Sequence, residues 1–201
     1  MSAVALSAVA QPTHTPEEYL ALERQAEHRS EYVNGHIYAT TGASTAHNYI
    51  AGNIYTALRG RLRGRPCRSF IGDMRVKVAP TGMYTYPDVV ALCGEPRLED
   101  AHIDTLLNPA VIVEVLSPST ERYDRGEKFA HYRRLPSLQE YVLVAQDRAR
   151  VEHYARQGEQ WVLTALEGLE ATLPLPALDC AIPLEDIYEL VAPFSGEPPA
   201  R

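Results

Sequence analysis

Several things are missing from this 201-residue sequence, and each absence closes off a class of function. No segment approaches the roughly 18 uninterrupted apolar residues of a membrane-spanning helix. The small apolar run SAVALSAVA at residues 2–10 is too short to span and has no basic stretch before it, so a cytoplasmic protein without membrane contact is expected. Cysteine is scarce: Cys67, Cys93 and Cys180 are odd in number, widely spaced and free of any CxxC or His pairing, which argues against zinc and for reduced packing thiols. There is no Gly-rich phosphate loop, no G-x-S-x-G and no H-E-x-x-H, which removes the commonest nucleotide-binding, hydrolase and zinc-protease classes. No repeat of 20 to 50 residues is present. An excess of positive charge is also lacking, since 19 Lys and Arg face 26 Asp and Glu for a net charge of −7. This argues against broad charge-driven attraction to a polyanion, although a local cluster can override the total.

What remains is the composition of an ordinary globular protein, 45% hydrophobic and 22% charged. The expected organisation is a single domain over residues 13–192, with a disordered extension at 1–12 and a flexible tail at 193–201. Thr15 followed by Pro16 and two acids predicts a helix over 15–27. Asn34-Gly35 inside an alternating stretch predicts a hairpin over 29–40. His47, Ile50, Ala51, Ile54 and Leu58, at spacings of three and four, predict a second helix over 44–63. Strands are expected at 69–79, 86–92, 110–116 and 140–145, with a helix from Asp124 in which Asp124 and Glu127 form a capping pattern. A hairpin around Gln157-Gly158 follows, and the Pro-rich remainder offers only a turn near 184–190. Helix, hairpin, helix, strands, helix, strands is the order of an α/β fold, a mixed sheet flanked by helices with additional β-hairpins.

Two acids stand out against this frame. Glu114 interrupts the apolar run Ala110 to Leu116, and an unpartnered carboxylate inside a strand costs several kcal/mol of desolvation. Asp88 opens the strand before it. If the two strands are neighbours, the carboxylates approach and repel unless a divalent cation lies between them, and oxygen-only ligation suits Mg²⁺ or Mn²⁺ better than zinc. Lys128 shares a helix face with Asp124, four residues earlier. Either the pair is a cap with an exposed ion pair, or the lysine serves the acids. Arg59, Arg61, Arg63, Arg65 and Arg68 crowd residues 59–68, either as a solvated helix end or as a phosphate-contacting patch.

In combination these residues become familiar. Tyr86-Pro-Asp-Val-Val90, then Glu114-Val-Leu-Ser-Pro-Ser-Thr120, then Asp124 with Lys128 and Tyr132, then Glu140-Tyr-Val-Leu-Val144 resemble the Uma-two restriction-endonuclease-like family. That family is a bacterial branch of the PD-(D/E)xK nuclease superfamily, and the similarity runs from about Thr15 to Leu190, with Glu31 in SEYVNGHIYA and His47 after Gly42-Ala-Ser included. The resemblance implies a restriction-endonuclease-like fold and a metal-dependent phosphodiesterase. Asp88 and Glu114 would hold Mg²⁺ or Mn²⁺ with the Val115 carbonyl, and Glu31 would join them as a catalytic acid that reaches the metal through water or assists the base, its alternative being a surface residue of the hairpin. The superfamily's lysine position, two residues after Glu114, is Leu116 here, so the resemblance implies a lysine relocated to Lys128. His47, Asp124 and Asp73 are accessory candidates, Arg59, Arg61, Arg63 and Arg65 are nucleic-acid candidates, DNA is the expected substrate, and a homodimer is expected because duplex cleavage needs two sites. The rivals are a catalytically inactive module of the same fold that binds nucleic acid or protein, and a phosphoesterase acting on small substrates.

Overall fold

The computed structural model describes residues 13–40 and 42–191, so the expected N-terminal extension and C-terminal tail lie outside the described residues. Helix α1 (Pro16–Glu23) starts at Thr15, whose hydroxyl accepts from Glu18 N–H while the Glu18 carboxylate accepts from Thr15 N–H, a complete capping box. Strands β1 (Ser30–Val33) and β2 (His36–Ala39) form the expected hairpin, and its turn needs left-handed backbone at both Asn34 and Gly35, with φ of 50° and 86°. Helix α2 (Thr45–Arg61) is capped by the Ser44 hydroxyl. It buries Ile50, Ala51, Ile54 and Leu58 on one face, as their spacing required.

The segment 69–79, expected as one strand, is two strands in different sheets. β3 (Cys67–Ile71) ends where Gly72 takes φ +66°, and the chain then enters β4 (Arg75–Val78). β5 (Met83–Thr85) pairs with β4, β6 (Val89–Cys93) begins one residue after Asp88, and β7 (Thr105–Leu106) lies between the strands expected at 86–92 and 110–116. β8 (Val111–Val115), β9 (Glu140–Val144) and the hairpin of β10 (Arg150–Gln157) with β11 (Gln160–Glu167) fall where expected. The Pro-rich remainder holds more than a turn: β12 (Thr172–Leu175) and β13 (Cys180–Pro183) pair, and a short helix follows at Leu184–Ile187. Prolines 174 and 183 hide this hairpin from a pattern reading, although an edge position tolerates them.

A six-stranded sheet of order β11-β10-β9-β8-β6-β3 lies beside a five-stranded sheet of order β2-β1-β5-β4-β7. All neighbours are antiparallel except β8 with β9 and β4 with β7. Alternation along β8 divides the core. Val111, Val113 and Val115 pack with α2 and the β12–β13 hairpin, whereas Ile112 and Leu116 pack with β4, β5 and Tyr132. Glu114, which shares the parity of Ile112 and Leu116, therefore points into the second layer.

Cys67 and Cys93 stand opposite each other in the β3–β6 ladder and form a disulfide, with Cα atoms 3.9 Å apart. This corrects the expectation of three reduced thiols. Their 26-residue separation conceals a cross-strand pair, and Cys180 alone is free. Closing a loop of that size contributes about 2–4 kcal/mol. Native thiol titration should therefore find Cys180 only, and reductant should lower the urea midpoint accordingly. Three titrating thiols would show that the bridge does not form.

Candidate active site

Three structural devices bring the polar residues together. The first is the β6–β8 ladder: Val89 stands opposite Val113, so one step further along the ladder Asp88 comes alongside Glu114. Val115 N–H closes the approach by donating to Asp88 Oδ2 at 2.7 Å. The second is the helical segment after β8, made of α3 (Glu121–Tyr123), a π-helical turn (Asp124–Lys128) and α4 (Phe129–Tyr132). π-turns inside helices are frequent at functional sites, and this one turns both Asp124 and Lys128 inward. Asp124 is therefore not a cap. Its side chain is 4% exposed, and the helix begins three residues earlier. The third is β1, which brings Glu31 across from the other sheet.

The centre is the Lys128 ammonium. Its Nζ lies 2.9 Å from Glu114 Oε1, 3.1 Å from Glu31 Oε1 and 3.7 Å from Asp124 Oδ1. Tyr132 donates its hydroxyl to Glu114 Oε1 at 2.8 Å, and Thr85 donates to Glu31 Oε1. Tyr141 donates to the Asp124 carbonyl at 3.0 Å and so anchors the π-turn on the sheet. His47, at the start of α2, places Nε2 3.2 Å from Asp88 Oδ2 from the opposite layer. The turn carrying Asp88 is held in place by Tyr86, whose N–H reaches Glu31 and whose hydroxyl donates to Glu23 Oε1 at 2.9 Å and accepts from Arg75 at 2.9 Å.

Burial raises the Glu114 pKa well above the usual carboxylate range. Lys128 opposes that shift, and Asp124, Asp88 and Glu31 reinforce it. Asp124 is raised by burial too. Lys128 is desolvated, but Glu114, Glu31 and Asp124 together hold it firmly protonated. Burial alone would lower His47; the Asp88 hydrogen bond and charge more than offset this and raise it. One cation among four acids leaves surplus negative charge, which a bound proton or a second cation can relieve.

A family model whose description is "Putative restriction endonuclease", Uma2, matches residues 16–185. The chain belongs to the Uma2 family. Two uncharacterized proteins of Synechocystis sp. are related: sll1609 is 41% identical over 79% of this chain and 90% of its own length, and slr1290 is 34% identical over 90% and 94%. The crystal structure of a "putative nuclease belonging to DUF820" from Anabaena variabilis superposes with a TM-score of 0.71 at 20% identity, covering 87% of this chain and 97% of that one. The restriction-endonuclease-like α/β fold is thereby shown.

Of the residues singled out in the sequence of this Uma2 protein, Asp88, Glu114, Lys128, Glu31, Asp124 and His47 converge. Val115 contributes its N–H to Asp88. Asp73 does not join them, since its side chain is 84% exposed and paired with Arg29. The arginines also lie elsewhere. His47 and Arg61 are fourteen residues apart on α2, about 21 Å at the helical rise, so the cluster occupies the far end of the helix. Arg61 pairs with Asp186, Arg65 with Asp179 and Arg68 with Glu95, which leaves Arg59 and Arg63 exposed. Sequence reasoning missed Thr85 and took Tyr132 and Tyr123 for packing residues, whereas Tyr132 donates to Glu114 and the Tyr123 hydroxyl feels Glu31, Lys128 and Asp124. Tyr132 had a signal in its four-residue spacing from Lys128, but Thr85 had none.

Among the described residues no trio of His, Cys, Asp or Glu side chains forms a ready-made metal cage. The donor set is smaller. Asp88 uses Oδ2 and Glu114 uses Oε1 in the contacts above, which leaves Oδ1 and Oε2 without hydrogen-bond partners among the described residues. Two hard oxygens with water completing the shell fit Mg²⁺ or Mn²⁺, ions that commonly take only one or two carboxylates from a protein.

Proposed function

We propose that this protein is a divalent-metal-dependent nuclease that hydrolyses phosphodiester bonds, with DNA as its substrate. The observation carrying the reading is the 2.9 Å approach of Lys128 to Glu114 beside Asp88. The place two residues after Glu114 is filled by Leu116, buried in the core, and the ammonium arrives instead from the following helix. Asp88 and Glu114 would hold Mg²⁺ or Mn²⁺, with the Val115 carbonyl as a third donor. Bound there, the ion would supply Lewis acidity toward a phosphate oxygen. Lys128 would orient the attacking water or steady the charge that develops on the phosphoryl group, while Glu31 and Tyr132 fix the position of its amine. His47, whose Nε2 lies 3.2 Å from Asp88 Oδ2, would fix the orientation of that carboxylate. A homodimer would supply the second site that duplex cleavage needs.

The test is hydrolysis of plasmid, duplex, single-stranded DNA and RNA with Mn²⁺ against EDTA. Wild type should cleave, and Asp88→Ala, with its fold checked by circular dichroism, should fall to background, a loss of at least about 100-fold. Equal inertness of both proteins on every substrate would defeat the reading. It would favour an inactive module of this fold, for which the observation is the ammonium already filling the acid cluster.

A further inference from the structure

The β1–β2 hairpin carries more than Glu31. In its ladder Glu31 stands directly opposite Tyr38, and opposite residues of an antiparallel pair project to the same face. Glu31 extends from that face to Lys128 at 3.1 Å, so Tyr38 stands at the rim of the acid cluster. It is 56% exposed, on a strand that is one edge of the five-stranded sheet among the described residues. His36, two residues before it on the same face, holds its ring 6.4 Å from that of Tyr38. Tyr38 belongs to none of the buried core clusters: Tyr32 and Tyr19 pack on the opposite face, and on its own face the buried neighbour is Val33, opposite His36.

Electrostatics make such a residue useful. The net charge is −7, the site is an acid cluster, and the arginine-rich segment starts at the end of α2, where Arg61 is about 21 Å along the helix from His47, with three of its five guanidiniums already paired. Binding driven by phosphate charge would therefore be weak, and another source of affinity is needed next to the scissile bond. Stacking of a base on an aromatic ring is independent of charge, but the base must be unpaired.

We propose that Tyr38, flanked by His36, is a stacking platform for an unpaired nucleobase beside the scissile phosphate, so that the substrate is single-stranded or locally splayed nucleic acid. The choice of substrate rests on the nuclease reading, but the platform is measurable without chemistry. Fluorescence anisotropy in EDTA with a labelled single-stranded oligonucleotide and the matching duplex should show tighter binding of the single strand. Tyr38→Ala should weaken single-strand binding on the order of ten-fold, while Tyr38→Phe, which keeps the ring, stays within about two-fold of wild type. The side chain is exposed, so both variants should melt as wild type does. No single-strand binding, equal binding of the duplex, or wild-type affinity in Tyr38→Ala would each overturn the platform. Tyr38-dependent binding without any Mn²⁺-dependent cleavage would instead overturn the nuclease reading and leave the platform standing.

Discussion

Replacing Lys128 with methionine is expected to destabilise the protein by about 3–5 kcal/mol at pH 8, because it leaves buried carboxylates without their counter-charge. Methionine keeps the length and volume of the lysine stem, so the loss reports the ammonium and not a cavity. The pH dependence separates this from a packing defect. Lys128 is protonated more firmly in the fold than in the unfolded chain, so its contribution is complete below the ordinary lysine pKa and is lost only as pH rises through the higher folded value. Glu114 and Asp124 are raised by burial, so their contribution is complete below their ordinary values, 4.5 and 3.8, and falls as pH rises toward the folded ones. Without the ammonium both carboxylates bind protons more tightly still. The gap between variant and wild type should therefore narrow as pH falls from about 8 to 5, as measured by urea unfolding at each pH. A gap below about 1 kcal/mol at pH 8, or one unchanged across that range, would mean that the ammonium does not neutralise the cluster.

The parts of the fold written in local chemistry were legible from the sequence: the Thr15 N-cap, the Asn34-Gly35 turn and the apolar stripe of α2. Features that depend on what lies across a ladder were not. Gly72 splits one alternating run between two sheets, a division no periodicity announces because both halves alternate. Cys67 and Cys93 meet only because β3 and β6 pair in that register. The site shows the same division. Glu114 announced itself as a charge in an apolar strand, and Asp88 needed only the neighbouring strand to become its partner. Asp124 shows the limit of local rules, because D-x-x-E satisfies the capping pattern, yet a π-turn rotates the aspartate into the core. Lys128 was ambiguous for the same reason: four-residue spacing gives the face shared with Asp124 but not whether that face meets water or acids.

Glu114→Gln should separate stability from function in opposite directions. The wild-type carboxylate is buried, its pKa is raised, and three further carboxylates surround it, so keeping it ionised near pH 8 costs folding free energy. The amide is nearly isosteric and can still accept from Tyr132 and Lys128 through its oxygen, while Glu31 and Asp124 continue to balance the ammonium. The variant should therefore unfold at least as high in temperature as wild type without metal at pH 8. Wild type should gain thermal stability on Mn²⁺ titration, by about 2.7 kcal/mol at a hundred-fold excess over the dissociation constant, and the variant should gain none. Because ionised Glu114 is the ligand and the fold favours its protonated form, the wild-type response should strengthen as pH rises from about 6 to 8. Cleavage should be lost together with the metal response. A variant that unfolds earlier than wild type yet still responds to Mn²⁺ would show that the carboxylate is a structural partner of Lys128 and that the ion, if bound, is held by other groups.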